Sequence, residues 1–162
     1  HLRLGGTYLA REDFWRSPGL TGEVGYQLLE VLGVDLSSTV YFSTLEAAAR
    51  DLRVEQGLLP DAQQPILRLA LGPRWAFAYG KILLEGTPVV LHLDASLLLR
   101  LGAMVTDRGV NFGGDLGLAV QVGFEERWLV WAEVAAWVGF EDRQSSSVAG
   151  GPMASLGVGV QL

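Results

Sequence analysis

The sequence predicts an all-β protein, an eight-stranded antiparallel up-and-down transmembrane β-barrel, from three observations. Apolar residues alternate with polar or small residues at a period of two along most of the chain. Glycine is abundant, at 21 of 162 residues, while charged residues reach only 19%. Hydrophobic residues make up 49% of the chain, yet no run reaches the roughly 18 apolar residues of a transmembrane helix. The length suits one domain, spanning 1–162.

The strands are clearest in the second half of the chain. From Val89 to Val105 every second residue is apolar, and every charge of this segment lies on the residues between them. Several such segments exceed the usual strand of about 5–6 residues and reach the ~9–11 residues that cross a bilayer at a tilt. The eight predicted strands are 1–10, 20–30, 34–44, 65–78, 88–105, 111–124, 127–140 and 152–162.

The connections between these strands alternate in length. Gly33 and the segment 125–127 mark short turns, and 79–87 is intermediate. Short periplasmic turns and longer extracellular loops are typical of outer-membrane barrels, which places both ends of the chain in the periplasm. In the longest loop an alanine run and a Glu46/Arg50 pair favour a short helix. The predicted longer loops are 11–19, 45–64, 106–110 and 141–151.

The alternation alone fits two kinds of barrel. A soluble, lipocalin-like barrel turns its apolar face inward, whereas a membrane barrel turns it outward. Here the charged face is also the small face, with Gly113, Gly117 and Gly157, and small residues fit the narrow interior of eight strands. Lys81 is the only lysine of the chain. We therefore expect the bulky apolar face to contact lipid through Leu91, Leu93, Leu97, Leu99, Leu116, Leu118, Val120, Val130, Val134, Leu156 and Val158.

Aromatic residues gather near both ends of the predicted strands. Membrane barrels carry such girdles at their two interfaces with water. The predicted loop-end girdle is Tyr8, Trp15, Phe42, Phe112 and Phe140, and the predicted turn-end girdle is Trp75, Phe77, Tyr79, Phe124 and Trp128.

The opposite face of the strands supplies the predicted interior. Because charges in so narrow a space must pair to offset their desolvation, we expect Arg68, Arg74 and Arg100 each to approach Asp94, Asp115 or Glu133. A lined pore is the alternative interpretation. The predicted polar network of the lumen is Arg3, Glu23, Asp35, Arg68, Arg74, His92, Asp94, Arg100, Asp115 and Glu133.

The candidate chemistry of this interior is sparse. His92, Asp94 and Ser96 share one strand face, and these residue types are those of a serine hydrolase acting on outer-membrane lipids. They lie in mid-strand, however, with no oxyanion donors indicated. One internal histidine and scattered carboxylates lack the spacing of metal ligands. We predict no catalytic residue, no metal and no cofactor. The net charge of −6 argues against nucleic acid as a partner.

Four motifs resemble the small outer-membrane β-barrel family of myxobacteria and related bacteria. They are the aromatic-Tyr-Gly-Lys turn at Trp75–Lys81, the strand end at Leu101–Met104, the glycine-rich strand Gly109–Gly117, and the segment Phe124–Trp137. The four motifs occur in the order and at the spacing of that family, and the resemblance covers about residues 20–162.

The resemblance implies a fold and a location in the outer membrane more than a chemistry. Members of that family are similar to components of surface machineries such as gliding motility. The expected function is a non-enzymatic structural anchor or subunit of an envelope assembly, with outer-membrane lipid and other envelope proteins as partners. A small pore or ligand channel is the alternative, and a lipid-modifying enzyme a further one.

Overall fold

A computed structural model describes residues 1–11, 15–46, 50–51, 54, 63–83, 90–124, 127–141 and 147–162. Strands account for most of these residues, as the period-two alternation predicts. In chain order they are β1 (Leu2–Arg11), β2 (Trp15–Leu29), β3 (Leu32–Tyr41), β4 (Thr44–Leu45), β5 (Pro65–Leu83), β6 (Val90–Thr106), β7 (Gly109–Phe124), β8 (Trp128–Phe140) and β9 (Val148–Val160).

The strands form one antiparallel sheet that closes on itself. Its order is β1-β9-β8-β7-β6-β5-β3-β2-β4, and β1 also pairs with β2. Eight long strands therefore complete a hydrogen-bonded ring, and the two-residue β4 pairs with β2 outside it, with Trp15 opposite Leu45. The all-β, up-and-down architecture is confirmed. The predicted count of eight strands is wrong because it omits this one short strand. Two residues are too few to show an alternation with a period of two.

Several predicted boundaries are also wrong, because strands run into segments expected to be loops. Strand β2 begins at Trp15 and includes Pro18, whose carbonyl accepts a hydrogen bond from the Phe42 N–H at 2.7 Å. The expected loop 106–110 is a two-residue turn, since Thr106 already pairs with Gly109. Strand β9 begins at Val148 rather than 152, and β5 continues to Leu83.

A shift of register in the β5–β6 ladder changes which way the end of β5 points. Ala76 lies opposite Ser96, but Tyr79 lies opposite Asp94, so the intervening segment contains one unmatched residue. Such a bulge reverses the alternation beyond it. Tyr79 therefore shares the inward face with Asp94, and its predicted place in the outer turn-end girdle is wrong.

The two faces of the sheet differ in polarity. Outward apolar side chains are strongly exposed, with Leu116 56% and Val134 60% accessible, whereas inward Arg68 and Arg100 are each only 1% accessible. In the predicted helical loop, residues 50, 51 and 54 are helical and the Arg50 N–H donates to the Glu46 carbonyl at 3.0 Å. The remainder of that predicted helix lies outside the described residues. None of the described helical residues belongs to a helix long and apolar enough to cross a membrane.

The interior is layered along the axis of the ring. At the loop end an apolar cluster fills it, made of Leu9, Tyr41, Met104, Ala135, Trp137 and Met153. The charged residues occupy the middle, and polar residues line an open mouth at the turn end. Glycine makes room for the neighbouring strand and for large side chains: a Cβ on Gly113 would clash with the Val138 carbonyl oxygen and would lie 2.9 Å from Cζ2 of Trp137.

Candidate functional site

Arg100 is the centre of the charged layer. Its Nε donates to Oδ1 of Asp115 at 2.8 Å, and its Nη1 lies 3.3 Å from carboxylate oxygens of both Glu23 and Glu133. Its Nη2 donates to the second oxygen of Glu133. One guanidinium therefore neutralises acids from three different strands, β2, β7 and β8.

Two further arginines extend this layer and lie against indole rings. Arg68 pairs with Asp115, and its guanidinium carbon lies 5.3 Å from the Trp137 ring centroid. Arg3 pairs with Glu23 at 2.6 Å and lies 5.9 Å from the centroid of Trp131. In these cation–π contacts the ring attracts the guanidinium electrostatically, and the attraction is stronger where water is excluded. The interior is thus crossed by a continuous set of ion pairs and ring contacts.

Arg74 departs from the predicted pairing. Arg68 and Arg100 reach Asp115 and Glu133 as predicted. Arg74 instead pairs with Asp35, its Nε 3.1 Å from Oδ2, and donates from Nη2 to the Gln27 side chain at 2.7 Å. Sequence alternation places a residue on a face but does not fix its height along the axis, and the staggered ladders bring Arg74 level with Asp35.

His1 joins this layer from the turn end, which sequence analysis did not anticipate. Its Nε2 lies 3.6 Å from Oδ1 of Asp35 and 3.8 Å from Oε1 of Glu23. These three side chains are close enough to share one cation. Both carboxylates are already paired with Arg74 and Arg3, so the donor set fits a histidine within an ion-pair network.

The open mouth at the turn end, which we call the vestibule, holds a cavity of about 830 Å³. A smaller cavity of about 280 Å³ adjoins it and shares part of its wall. The residues common to both cavities are Tyr79, Asp94, Gln121 and Gln161.

The three residues considered for hydrolase chemistry lie at or just below the vestibule. The Ser96 hydroxyl donates to Oδ1 of Asp94 at 2.5 Å, and Nδ1 of His92 is hydrogen-bonded to the Tyr79 hydroxyl at 2.8 Å. A serine nucleophile needs its hydroxyl on the histidine base. The pairs found here are serine with acid and histidine with tyrosine.

The predicted lipid-facing residues follow the outer face, and each is half-buried or exposed. Among the predicted girdle aromatics, Trp15 is in phase with the buried Ser17 on the inward face of β2, so its predicted place in the outer loop-end girdle is wrong, as is that of Tyr79 at the turn end. Trp75 and Phe77 contact each other on the outer wall, with ring centroids 6.3 Å apart.

Comparison with known proteins adds little to these observations. No family model matches the chain, and no curated protein matches it. The resemblance to a myxobacterial family therefore finds no support from either comparison. Among solved structures, the chain is similar to neisserial surface protein A (NspA), with a TM-score of 0.48 and 15% sequence identity over 99% of this chain and 94% of that chain.

Proposed function

We propose that this protein is an integral β-barrel of a bacterial outer membrane, with a structural, non-enzymatic role as an anchor or subunit of a cell-envelope assembly. The observation that carries the proposal is the inverted distribution of polarity. Bulky apolar side chains cover the outer wall, and paired charges fill the centre of the ring. A closed sheet satisfies its backbone hydrogen bonds internally, as a bilayer requires.

Exposure of the apolar outer wall to water would cost free energy. Monomeric soluble proteins rarely expose contiguous apolar patches beyond a few hundred Å². Here such residues follow one another around the ring, for instance Leu99, Leu116, Val134 and Leu156, each more than half exposed. Lipid acyl chains are the solvent that suits this wall, and outer-membrane lipid is accordingly the first proposed partner.

The filled interior supports a structural role over a channel. In the middle layer Arg100 and its three acids bridge the strands, and at the loop end Leu9 and Trp137 lie in the apolar cluster. Eight strands leave an interior that side chains just fill. A small pore is the alternative, and it predicts steady ion conductance in planar bilayers, whereas the structural role predicts none.

Location and assembly require separate tests. The chain, exported with a signal peptide, should sediment with outer-membrane markers, resist alkaline extraction and migrate faster in gels before boiling than after. Recovery in the soluble periplasmic fraction would contradict the membrane proposal.

The assembly role is supported by the motif resemblance alone, from Trp75–Lys81 to Phe124–Trp137. After gentle detergent extraction from its own cells, the native protein should run as a complex well above the mass of one 17.5 kDa chain. A single-chain particle under these conditions would contradict the subunit role and leave the membrane proposal standing. No nucleic acid is expected in the complex.

A further inference from the structure

The vestibule is a cavity with a mixed polar and apolar lining, closed at its inner end. Its wall includes the start of the chain at His1, the end of β2 at Gly25–Gln27, and Arg74. Beyond Arg74 the ion-pair layer fills the ring, so the cavity ends there. At about 830 Å³ it lies within the usual range of small-molecule sites.

Asp94 is an unmatched carboxylate of this cavity, whose wall also includes Glu30, the paired Arg74 and His1, the ammonium of which donates to the Gly25 carbonyl at 2.8 Å. Each interior arginine pairs with another acid: Arg3 with Glu23, Arg68 and Arg100 with Asp115, and Arg74 with Asp35. Among the described residues, no cationic side chain lies within 4.0 Å of the Asp94 carboxylate, which accepts the Ser96 hydroxyl at 2.5 Å. Asp94 is half-buried, and a charge removed from bulk water favours a counter-charge.

The groups around Asp94 are suited to a cation. Tyr79 and Gln161 line both cavities, and His92, hydrogen-bonded to the Tyr79 hydroxyl, lines the smaller one. Lys81 lies at the rim, its Nζ 5.8 Å from the Tyr79 ring centroid, and it does not line either cavity. Aromatic faces and carboxylates together recognise ammonium and guanidinium groups.

We infer that the vestibule binds the cationic group of a short basic peptide, with Asp94 as its counter-ion and Tyr79 beside it. The cavity accommodates a few residues of extended chain but not a folded partner. This inference rests on the cavity and its charges and not on the proposed membrane location. In the proposed orientation the vestibule would face the periplasm.

Calorimetric titration of the purified full chain in a nonionic detergent tests the inference. The probe is N-acetyl-arginyl-arginine amide, and N-acetyl-citrullyl-citrulline amide is its uncharged counterpart of similar shape. The wild-type protein should bind the arginine probe and bind the citrulline probe at least about tenfold more weakly, since a hydrogen bond to a charged partner is roughly twice as strong as a neutral one. Equal affinity for the two probes would overturn the inference.

Two substitutions separate the vestibule from general attraction to an acidic protein. Asp94→Asn should weaken binding of the arginine probe at least about tenfold, and Asp94→Glu should retain it. Asp107→Asn removes the same charge at the opposite end, where Asp107 accepts the Gln64 N–H at 2.7 Å, and should leave affinity unchanged. Equal losses in Asp94→Asn and Asp107→Asn, with both variants keeping wild-type circular dichroism, would overturn the inference.

Discussion

Removal of the Arg100 guanidinium should destabilise the protein through the acids it leaves behind. In Arg100→Met, Asp115 keeps Arg68 and Glu23 keeps Arg3, but Glu133 loses the only ion pair it forms among the described residues. Glu133 is 4% exposed. Breaking a buried pair by removing one partner costs about 3–5 kcal/mol, or roughly 10²- to 10⁴-fold in the unfolding equilibrium constant.

The assay is urea unfolding in detergent micelles, followed by tryptophan emission, to which the interior Trp131 and Trp137 contribute among the five tryptophans of the chain. The matched variant is Arg100→Met combined with Glu133→Gln, which removes the stranded charge and keeps its size. The double variant should recover at least about 1.5 kcal/mol relative to Arg100→Met alone, as expected for residues in direct contact. If Arg100→Met costs under about 1 kcal/mol and the second substitution changes nothing, the charged layer does not stabilise the interior as described.

Two further substitutions test the two faces of the wall. Leu99→Arg places a charge on the outer wall near mid-strand and should lower the free energy of unfolding in bilayers by roughly 2–4 kcal/mol. Leu162→Arg, beyond the end of β9, should have little effect. Urea titration in lipid vesicles measures both variants. Gly113→Val should cost about 1–3 kcal/mol, because its Cβ would crowd the β8 backbone at Val138 and Gly139 as well as the Trp137 ring. Gly22→Val, with open space around its Cβ, should be neutral or stabilising in the same titration. Equal effects of the two valines would contradict the packing described at Gly113.

Much of the fold could be predicted because the alternation of polar and apolar residues is a local property. Arg100 and Leu101 differ in their preferred surroundings, and a strand must turn them to opposite faces. Register is not local. The bulge after Ala76 moves Tyr79 inward, and nothing in the segment Trp75–Lys81 distinguishes it from a regular strand.

The candidate site was harder to predict for the same reason. The charged residues could be assigned to the interior, but their pairing depends on the stagger of ladders between distant strands. Arg74 therefore meets Asp35 rather than Asp94, and His1 meets Glu23 and Asp35. The unmatched charge of Asp94 follows from that pairing, so the vestibule could be recognised only from the structure.

The contact of the apolar face with lipid and the enclosure of the polar face can be measured along one strand. The chain contains no cysteine, so a single introduced cysteine carries a spin label at one known position. Labels at Leu116, Leu118 and Val120 of β7, in protein reconstituted into vesicles, should collide freely with oxygen and rarely with a polar nickel chelate. A label at Ala119, which is 5% exposed, should collide rarely with either. If the Leu116, Leu118 and Val120 labels collide with the nickel chelate more often than with oxygen, the outer wall faces water, which would contradict its proposed contact with lipid.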